Sequence, residues 1–358
     1  MPLINRGSII IVFKAKSYFK TYVEGVYMSS ATLDVVGIGN AIVDVISSQS
    51  DDFLQAQDLP KGMMTLIDAN RAQTLYETMG SNLKVSGGSA ANTLAGIACL
   101  GGKGAYIGKV GNDSLGDAFR KDILAVGVDY HTLPLIDGGT TARCLIIVTP
   151  DAQRTMSTYL GASVSLGPKD IDVQLIGSSK ITYLEGYLFD PPEAKKAFKY
   201  AAEVSHKAGR MVSLSLSDGF CVDRHRMEFL KFVRDHVDIL FANEVEIKSL
   251  FEVDNFESAL QKLRGKCKIA ALTRGEAGAV ILTDSDTIPV GVDPVEHIID
   301  TTGAGDLFAA GFLFGITHNY SLENCGRLGA MCAAEIISHY GARPEVSLKE
   351  LLFKKGFK

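Results

Sequence analysis

The sequence lacks the motifs that mark several large classes of protein. Its six cysteines include no C-x-x-C pair, its seven histidines form no zinc motif such as H-E-x-x-H, and the P-loop pattern G-x-x-x-x-G-K-[ST] is missing. A disulfide framework, a zinc site of these kinds and a P-loop nucleotide site are therefore excluded. Scattered cysteines in a chain of 358 residues predict reduced thiols and a cytoplasmic location.

Positive charge is not concentrated in the chain either. Acidic and basic residues are interspersed and the net charge is −5, whereas a nucleic-acid surface needs a basic patch. The composition, 46% hydrophobic and 22% charged, is typical of a globular protein, and the length suffices for one large α/β domain or two smaller ones. We expect no nucleic-acid partner.

The first residues contain no recognisable membrane span or signal peptide. Residues 1–27 carry four basic residues, one acidic residue and a short apolar run at 9–13 that cannot span a bilayer. Three of the four basic residues follow this run and no small-residue cleavage site occurs, unlike in a signal peptide. We expect residues 1–30 to be an appendage outside the core, with an organelle-targeting segment as the alternative, and we expect no membrane partner.

Short apolar runs alternate with longer amphipathic stretches over the rest of the chain. Runs such as "LDVVGIG" at 33–39 indicate buried parallel strands, and stretches such as "PPEAKKAFKYAAEVSHKAG" at 191–209 indicate helices. The sequence therefore predicts an α/β fold over residues 31–358, with a mostly parallel central sheet covered by helices on both faces. The other predicted strands are 104–110, 180–188, 210–217, 237–243 and 268–275.

Two β-rich segments interrupt this alternation. One covers residues 41–54, and the other covers residues 141–162 with the turn-forming sequence "TPDAQR" inside it. They predict a small β-rich layer that covers the body as a lid, formed by segments at about 41–68 and 138–162.

The first glycine loop, "GIGN" at 37–40, stands where a dinucleotide-binding fingerprint would follow the first strand. That fingerprint, G-x-G-x-x-G, needs a third glycine so that its helix can approach the sheet. Ile42 occupies this position. The loop therefore gives no support to a nicotinamide-dependent oxidoreductase.

A late loop, "GAGD" at 303–306, offers another way to bind phosphate. Gly303, Ala304 and Gly305 leave their N–H groups unshielded, and the apolar sequence that follows predicts a buried helix whose first amides lack intrahelical partners. Such amides form an anion hole. Asp306 is placed to take a proton from a hydroxyl group, although an acid at this position also fits simple stabilisation of a helix start.

Polar loops at the ends of other predicted segments favour the catalytic interpretation of Asp306. The small-residue loop "SGGSAANT" opens a helix and carries Ser89 and Asn92, which suit a polyhydroxylated ligand. The first strand leads into "GNAIVD", with Asn40 and Asp44 at the carboxyl edge of the sheet, where open α/β folds bind ligands.

Two further strands end in similar loops. "NEVE" offers Asn243 and Glu246, whose oxygens can orient water around Mg²⁺. The next strand ends in "TRGEAG" at 273–278. Each loop alone fits an ordinary turn, but their shared place at strand ends indicates one site.

These motifs resemble those of the ribokinase-like, or PfkB, family of carbohydrate and nucleoside kinases. The sequence "DTTGAGDLFAAGFL" at 300–313 fits the C-terminal signature of that family, and "GGSAAN" at 87–92 fits its N-terminal signature, although Leu94 stands where a small residue is usual. The predicted lid sequence "VTPDAQRTMSTYLGA" is more similar to the adenosine kinase branch than to ribokinases. The resemblance runs from about Leu33 to the C-terminus and implies a three-layer ribokinase-like fold.

The resemblance also implies a role for each site residue, with ATP and Mg²⁺ as cofactors and K⁺ as a further possibility. Asp306 would be the catalytic base and Arg154 would reach over the transferred phosphate. The implied anion hole is formed by the amides of Gly303, Ala304 and Gly305. The residues implied for the acceptor are Asn40, Asp44, Gly88, Ser89 and Asn92 around the ribose, and Met156 and Leu160 against the base. Those implied for ATP are Thr273, Gly275, Gly278 and Gly341. The residues implied for Mg²⁺, through water, are Asn243 and Glu246, and those for a monovalent cation are Asp300 and Thr302.

Three functions are compatible with these motifs. The first is ATP-dependent phosphorylation of the 5′-hydroxyl of a purine nucleoside, with adenosine as the first candidate, and the second is phosphorylation of ribose, fructose or a similar free sugar. The third is a non-catalytic binding protein, which the intact GAGD loop opposes. An apolar slot at Met156 and Leu160 would favour a nucleoside. Both a monomer and a homodimer fit the sequence.

Overall fold

A computed structural model of the protein describes residues 31–151 and 153–357. The predicted appendage at 1–30 lies outside these residues. Within the described ranges, no helix combines the length and apolar character needed to cross a bilayer.

The described residues form fourteen strands and twelve α-helices. The strands are β1 (Leu33–Ile38), β2 (Ile42–Ser48), β3 (Met64–Leu66), β4 (Leu83–Gly87), β5 (Gly104–Ile107), β6 (Val128–Tyr130), β7 (Ala142–Val148), β8 (Arg154–Tyr159), β9 (Ser179–Glu185), β10 (Met211–Ser215), β11 (Ile239–Asn243), β12 (Ile269–Thr273), β13 (Ala279–Leu282) and β14 (Thr287–Val290). The helices are α1 (Asp51–Ala56), α2 (Ala69–Thr78), α3 (Ser89–Cys99), α4 (Ser114–Ala125), α5 (Val173–Ser178), α6 (Pro192–Lys207), α7 (Gly219–His236), α8 (Glu244–Phe251), α9 (Phe256–Leu263), α10 (Ala304–Thr317), α11 (Leu322–Ile337) and α12 (Leu348–Lys354).

Nine strands form the central sheet, in the order β14-β13-β12-β11-β10-β9-β1-β5-β6. Neighbouring strands from β12 to β6 are all parallel. The last two strands, β13 and β14, add an antiparallel edge. The predicted, mostly parallel sheet is therefore confirmed, and the antiparallel edge is an addition that the sequence analysis missed.

Helices cover both faces of this sheet because successive strand residues face opposite ways. Val35 belongs to a core with α3, α10 and α11, whereas the next residue, Val36, belongs to a second core with α6 and α7. Burial on both faces explains why the strands read as continuous apolar runs.

The other five strands form a separate sheet in the order β3-β8-β7-β2-β4. Val43 and Val45 on β2 belong to the same core as α2 and α4. The intervening residue, Asp44, lies on the opposite face and pairs with Cys144 of β7. Four of these strands fall within the predicted segments 41–68 and 138–162, but β4 lies outside both.

Part of the first β-rich segment is helical, contrary to the prediction for residues 41–54. The strand β2 ends at Ser48, and α1 begins at Asp51. Ser50 caps this helix by accepting a hydrogen bond from the Phe53 amide, and Asp51 and Asp52 occupy its first turn. This Ser-Asp-Asp start is favourable for a helix, and it overrides the apolar content of the segment.

Helix α10 is buried on all sides along most of its length, as the apolar sequence after the GAGD loop predicts. It packs between α3 and α11 through small residues. A Cβ atom added at Gly311 would lie 2.4 Å from the carbonyl oxygen of Leu328 on α11, and one added at Gly96 of α3 would lie 2.6 Å from the Leu307 side chain. Both glycines therefore hold α10 close to its neighbours, and this fixes where the helix begins.

We expect Gly311→Ala to destabilise the protein. Alanine favours a helix by about 1 kcal/mol over glycine, but overpacking costs roughly 1–3 kcal/mol, and the contacted atom is backbone that cannot rotate away. The net effect is a lower Tm in thermal unfolding. Gly177→Ala on α5 is the matched control, because no atom lies within 4 Å of its added Cβ. Equal Tm values for both variants would contradict the proposed close packing.

Candidate active site

The polar loops predicted from the sequence meet at one edge of the central sheet. Asn40 follows β1, Asn243 ends β11 and Thr273 ends β12, with Asn243 and Thr273 directly paired in register. The carboxyl ends of parallel strands share one edge of a sheet. The starts of α3 and α10 lie at the same place, since side chains from both helices contact each other there.

Asp306 lies in the first turn of α10 and links it to the start of α3, which is distant in sequence. Its carboxylate accepts hydrogen bonds from the Ser89 hydroxyl at 2.6 Å and the Asn92 amide nitrogen at 2.9 Å. Ser89 and Asn92 precede it by 217 and 214 residues. Burial raises the pKa of Asp306, while the two hydrogen bonds oppose this rise.

The start of α10 has the form expected of an anion site. Its N-cap, Gly303, has a left-handed φ of 79° and provides no side-chain cap. The helix start is therefore left to a ligand or solvent. The Ala304 amide donates to the Thr301 carbonyl at 3.2 Å, so the Gly305 amide, with open space around its Cα, is the more available of the two.

The close approach of two chain segments leaves no room for a side chain at Gly88. It is the N-cap of α3 with a φ of 98°, and a Cβ atom there would lie 2.2 Å from the Asn40 carbonyl oxygen. A Cβ atom on its neighbour, Gly87, would lie 2.5 Å from the Asp44 carboxylate. The two glycines let the loop after β1, the strand β2 and the start of α3 converge on one point.

Asp44 faces this point from the five-stranded sheet. Burial raises its pKa to about 6, although the nearby charges of Arg343 and Arg154 act to lower it. The negative charge of Asp306 also acts on Asp44 and raises its pKa. Asp44 and Asp306 therefore share one electrostatic environment, and the role of Asp44 in binding ribose stays a prediction.

Two charged residues of this site were missed in the sequence analysis. Glu185, at the end of β9, accepts hydrogen bonds from Asn40 and from the Ala90 amide, and burial raises its pKa to about 7. Arg343 donates to the carbonyl oxygens of Ser86 and Ala91. Arg343 lies in the "HYGARP" segment, which was assigned to ATP through Gly341, and Glu185 lies inside an apolar run.

A second cluster lies beside the start of α10. Arg154 of β8 forms a mostly buried ion pair with Asp300. Asp300 also accepts hydrogen bonds from the Gly341 amide at 3.0 Å and the Thr302 hydroxyl at 2.6 Å. Burial acts to raise the pKa of Asp300, but the hydrogen bonds from Thr302 and Gly341 and the Arg154 charge outweigh it. The pKa of Asp300 is therefore lowered overall. The cationic partner of Asp300 here is a guanidinium group, and a monovalent cation at Asp300 and Thr302 stays a prediction.

The predicted base-contacting residues lie near this cluster. Met156 is two residues beyond Arg154 on β8, on the same face, and is half-buried. Together with Arg154, Ile298, Ile299 and Tyr340 it lines a groove beside residues 300–302. Leu160 follows β8 and is also half-buried. Their contact with a base stays a prediction.

Asn243 and Glu246 form a reciprocal capping box at the start of α8. The Asn243 side chain accepts from the Glu246 amide at 2.8 Å, and the Glu246 carboxylate accepts from the Asn243 backbone and side-chain nitrogens at 2.9 and 2.7 Å. Burial raises the pKa of Glu246 to about 7. Among the described residues, no group of three or more acidic, histidine or cysteine side chains is placed to hold a metal ion. A role of Asn243 and Glu246 in orienting water around Mg²⁺ stays a prediction.

The remaining predicted ATP residues lie on the turn between β12 and β13. Gly278 has a φ of 78°, and an added Cβ would lie 2.2 Å from the Val290 carbonyl oxygen of β14. The hairpin therefore requires a glycine at position 278. Gly275, also with positive φ, faces open space, and neither observation tests contact with ATP.

Comparison with known proteins identifies the family. Residues 62–348 match the pfkB family of carbohydrate kinases. The chain belongs to that family. It is a phosphotransferase that acts on an alcohol group of a small nucleoside or sugar substrate, and the family uses ATP, usually with Mg²⁺.

The pfkB kinase is similar to solved bacterial structures along most of its length. An adenosine kinase from Sinorhizobium meliloti is 49% identical, with a TM-score of 0.84, and the match covers 91% of this chain and 100% of that one. A probable sugar kinase from Rhizobium etli is 50% identical, also with a TM-score of 0.84, over 92% of this chain and 100% of that one. Adenosine kinase 2 of Arabidopsis thaliana is 26% identical over 87% of this chain and 96% of its own length.

The raised pKa of Glu246 predicts a pH-dependent stability difference. Between its unfolded pKa, near 4.5, and its folded pKa, near 7, the folded protein keeps a proton that the unfolded chain loses, so this contribution to stability is lost as the pH rises through 7. A glutamine side chain at this position does not titrate and suits a capping box. We expect the wild type to lose on the order of 2 kcal/mol more than Glu246→Gln between pH 5 and pH 8 in urea unfolding.

The exposed Glu257, in the first turn of α9, provides the matched control for this experiment. Glu257→Gln should follow the wild-type pH profile. If Glu246→Gln follows it too, burial does not retain the proton on Glu246.

Proposed function

We propose that this protein transfers the γ-phosphoryl group of ATP to the 5′-hydroxyl of a purine nucleoside, with adenosine as the first candidate and AMP as its product. The observation that supports this most strongly is the place of Asp306. It lies in the first turn of an uncapped helix, and Ser89 and Asn92 in the first turn of α3 fix its carboxylate. A base and an anion site are thereby held within one helical turn.

Asp306 supplies the proton transfer. As the acceptor hydroxyl oxygen bonds to phosphorus, the bond to the ADP oxygen breaks and Asp306 takes the hydroxyl proton. Its raised pKa makes it a better base than an exposed aspartate. The hydrogen bonds from Ser89 and Asn92 hold it in one orientation, which matters because phosphoryl transfer depends chiefly on alignment and charge stabilisation.

The start of α10 would hold the transferred phosphate. Gly303, Ala304 and Gly305 bring no side chain larger than a methyl group to this turn, and Arg154 is close by on β8. Amides at a helix start and a guanidinium stabilise the charge that develops on phosphate. We propose that the five-stranded sheet acts as the lid of the kinase domain and excludes water when ATP and acceptor are bound.

The chain's residues fit a water-mediated Mg²⁺ ion. Mg²⁺ usually keeps several waters and is held largely by substrate phosphates, where it neutralises their charge. Asn243 is exposed at the strand end, with Glu246 behind it. These two residues would orient water around the ion. A monovalent cation at Asp300 and Thr302 would compete with the Arg154 guanidinium for the Asp300 carboxylate.

The acceptor would lie between Asp44 and Asp306. Asp44 would accept the 2′- and 3′-hydroxyls of ribose, and Asn40 and Asn92 would add further contacts. Met156 and Leu160 would contact the base. The similarity to adenosine kinases along almost the full chain supports a nucleoside.

A sugar kinase acting on ribose, fructose or a related free sugar is the second candidate. The probable sugar kinase from Rhizobium etli is as similar to this chain as the Sinorhizobium adenosine kinase.

We also propose a cytoplasmic location for this protein. The described cysteines are all free thiols, which supports that location.

One assay separates these candidates. ADP release would be measured with ATP and Mg²⁺ against adenosine, inosine, guanosine, ribose and fructose. We expect turnover with adenosine and little with the free sugars. Turnover with sugars alone would replace the nucleoside with the second candidate, and no turnover with any of the five would exclude these acceptors and favour another acceptor or a binding protein.

Substitution of Asp306 tests the mechanism. Asp306→Asn keeps the volume and two hydrogen-bonding positions but removes the base, so we expect kcat to fall about 10²- to 10⁴-fold, while calorimetry should show that ATP binding is retained. Asp117→Asn is the control, because Asp117 is an exposed acid in the first turn of α4. Near-wild-type turnover by a folded Asp306→Asn protein would leave Asp306 only a structural role at the helix start.

A further inference from the structure

Glu185 occupies a central position behind the acceptor site. Its side chain is buried, with the residue 1% exposed. One carboxylate oxygen, Oε1, accepts from the Asn40 backbone nitrogen at 3.1 Å and the Asn40 side-chain nitrogen at 2.8 Å. The other, Oε2, accepts from the Ala90 amide at 2.9 Å. One side chain thus joins the loop after β1 to the first turn of α3.

The contact of Glu185 with the loop after β1 explains why "GIGN" has a glycine at position 39, although the loop does not match a dinucleotide-binding fingerprint. A Cβ atom at Gly39 would lie 2.4 Å from Oε2 of Glu185 and 2.7 Å from the Cβ of Ala90. Any larger residue would push the carboxylate away from Asn40 and Ala90. The second glycine of "GIGN" is therefore needed for the approach of Glu185.

The contact also decides which end of the Asn40 carboxamide is left without a hydrogen-bond partner. Its nitrogen is committed to Glu185, and its oxygen, Oδ1, is buried without a hydrogen-bond partner among the described residues. Asn92 repeats this arrangement, because its nitrogen is committed to Asp306 and its Oδ1 is likewise buried and unpaired. A buried acceptor without a partner is unfavourable, so each amide requires a donor from elsewhere.

We propose that Glu185 is a positioning residue that selects hydroxyl-bearing acceptors, by holding Asn40 with its carbonyl oxygen toward the acceptor site and by fixing the start of α3. This inference rests on the proposed function of the site and deepens it. The acceptor class it selects is a sugar or nucleoside that donates a hydroxyl hydrogen to Asn40. Asp306 orients Asn92 in the same manner.

Glu185→Gln is the most direct test. The substitution keeps the side-chain volume but replaces one acceptor oxygen with a donor that faces an N–H group of Asn40 or Ala90. We expect the KM of the acceptor to rise about tenfold or more, since one charge-assisted contact is lost, while kcat changes less and the KM of ATP is unchanged. Asp34→Asn is the matched control: Asp34 is a buried carboxylate at the opposite end of β1 that accepts from the Lys103 amide at 2.9 Å and from Lys180 at 2.8 Å.

Acceptors that lack one hydroxyl separate positioning from a general loss of structure. The ratio of kcat/KM for adenosine to that for its 2′-deoxy or 3′-deoxy analogue should fall in Glu185→Gln and in Asn40→Ala, and should fall no further in the double variant. The ratio should stay at the wild-type value in Asp34→Asn. An unchanged ratio in Glu185→Gln, or equal losses with all acceptors together with a lower Tm, would overturn the proposal.

A binding-independent readout keeps this proposal distinct from the proposed function. In protein labelled with ¹⁵N-asparagine, the Asn40 side-chain NH₂ signal is assigned by its loss in Asn40→Ala. Slow hydrogen exchange of this NH₂ in the wild type, and faster exchange in Glu185→Gln, would support the positioning contact even if adenosine is not a substrate. Fast exchange in the wild type would overturn it, whatever the acceptor is.

Discussion

The hydrogen bonds between Asp306 and the start of α3 are the interaction on which the rest of the site depends. They require two helix starts, more than 200 residues apart in sequence, to meet within hydrogen-bond distance. That approach is possible because Gly96 and Gly311 let α3, α10 and α11 pack closely. The burial of this contact also raises the pKa of Asp306, so one packing arrangement determines both the position and the basicity of the carboxylate.

Three carboxylates and one guanidinium group determine the charge around this interaction. Three carboxylates, those of Asp44, Glu185 and Asp306, are grouped at the sheet edge, and burial raises the pKa of each. Arg343 opposes this effect on Asp44 and Asp306, because its guanidinium reaches the site while it donates to backbone carbonyls. In this protein, a cation held in a fixed place therefore stabilises the charged forms of two of these grouped carboxylates.

The sequence predicted the elements whose signals are local. Apolar runs separated by amphipathic stretches predicted the parallel sheet, and the small-residue loops predicted the starts of α3 and α10 together with Asp306. Features set by distant contacts were missed. Glu185 lies inside the apolar run of β9, and only the register of β1 against β9 reveals that it faces Asn40. The short strand β4 was missed because it pairs with β2, which is distant in sequence. The antiparallel edge consists of consecutive hairpins, but its strands β13 and β14 are only four residues long each and give a weak signal.

The sequence alone cannot assign a function to residues that local structure also explains. Asn243 and Glu246 have the spacing of a capping box, and the structure contains that box, so their spacing alone does not distinguish a helix cap from a site for hydrated Mg²⁺. Gly278 is similar, because the hairpin needs a glycine there whatever ligand lies nearby.

The Arg154–Asp300 ion pair has a consequence for the departure of products. The guanidinium is only 12% exposed and already has a carboxylate partner. In the role proposed for Arg154, an incoming phosphate would therefore replace one anion with another and would not meet a bare cation. Such an exchange would lower the net free energy gained from phosphate binding, and Asp300 would pair with the guanidinium again after transfer. A kinase that must release two phosphorylated products in every cycle would thereby bind them less tightly.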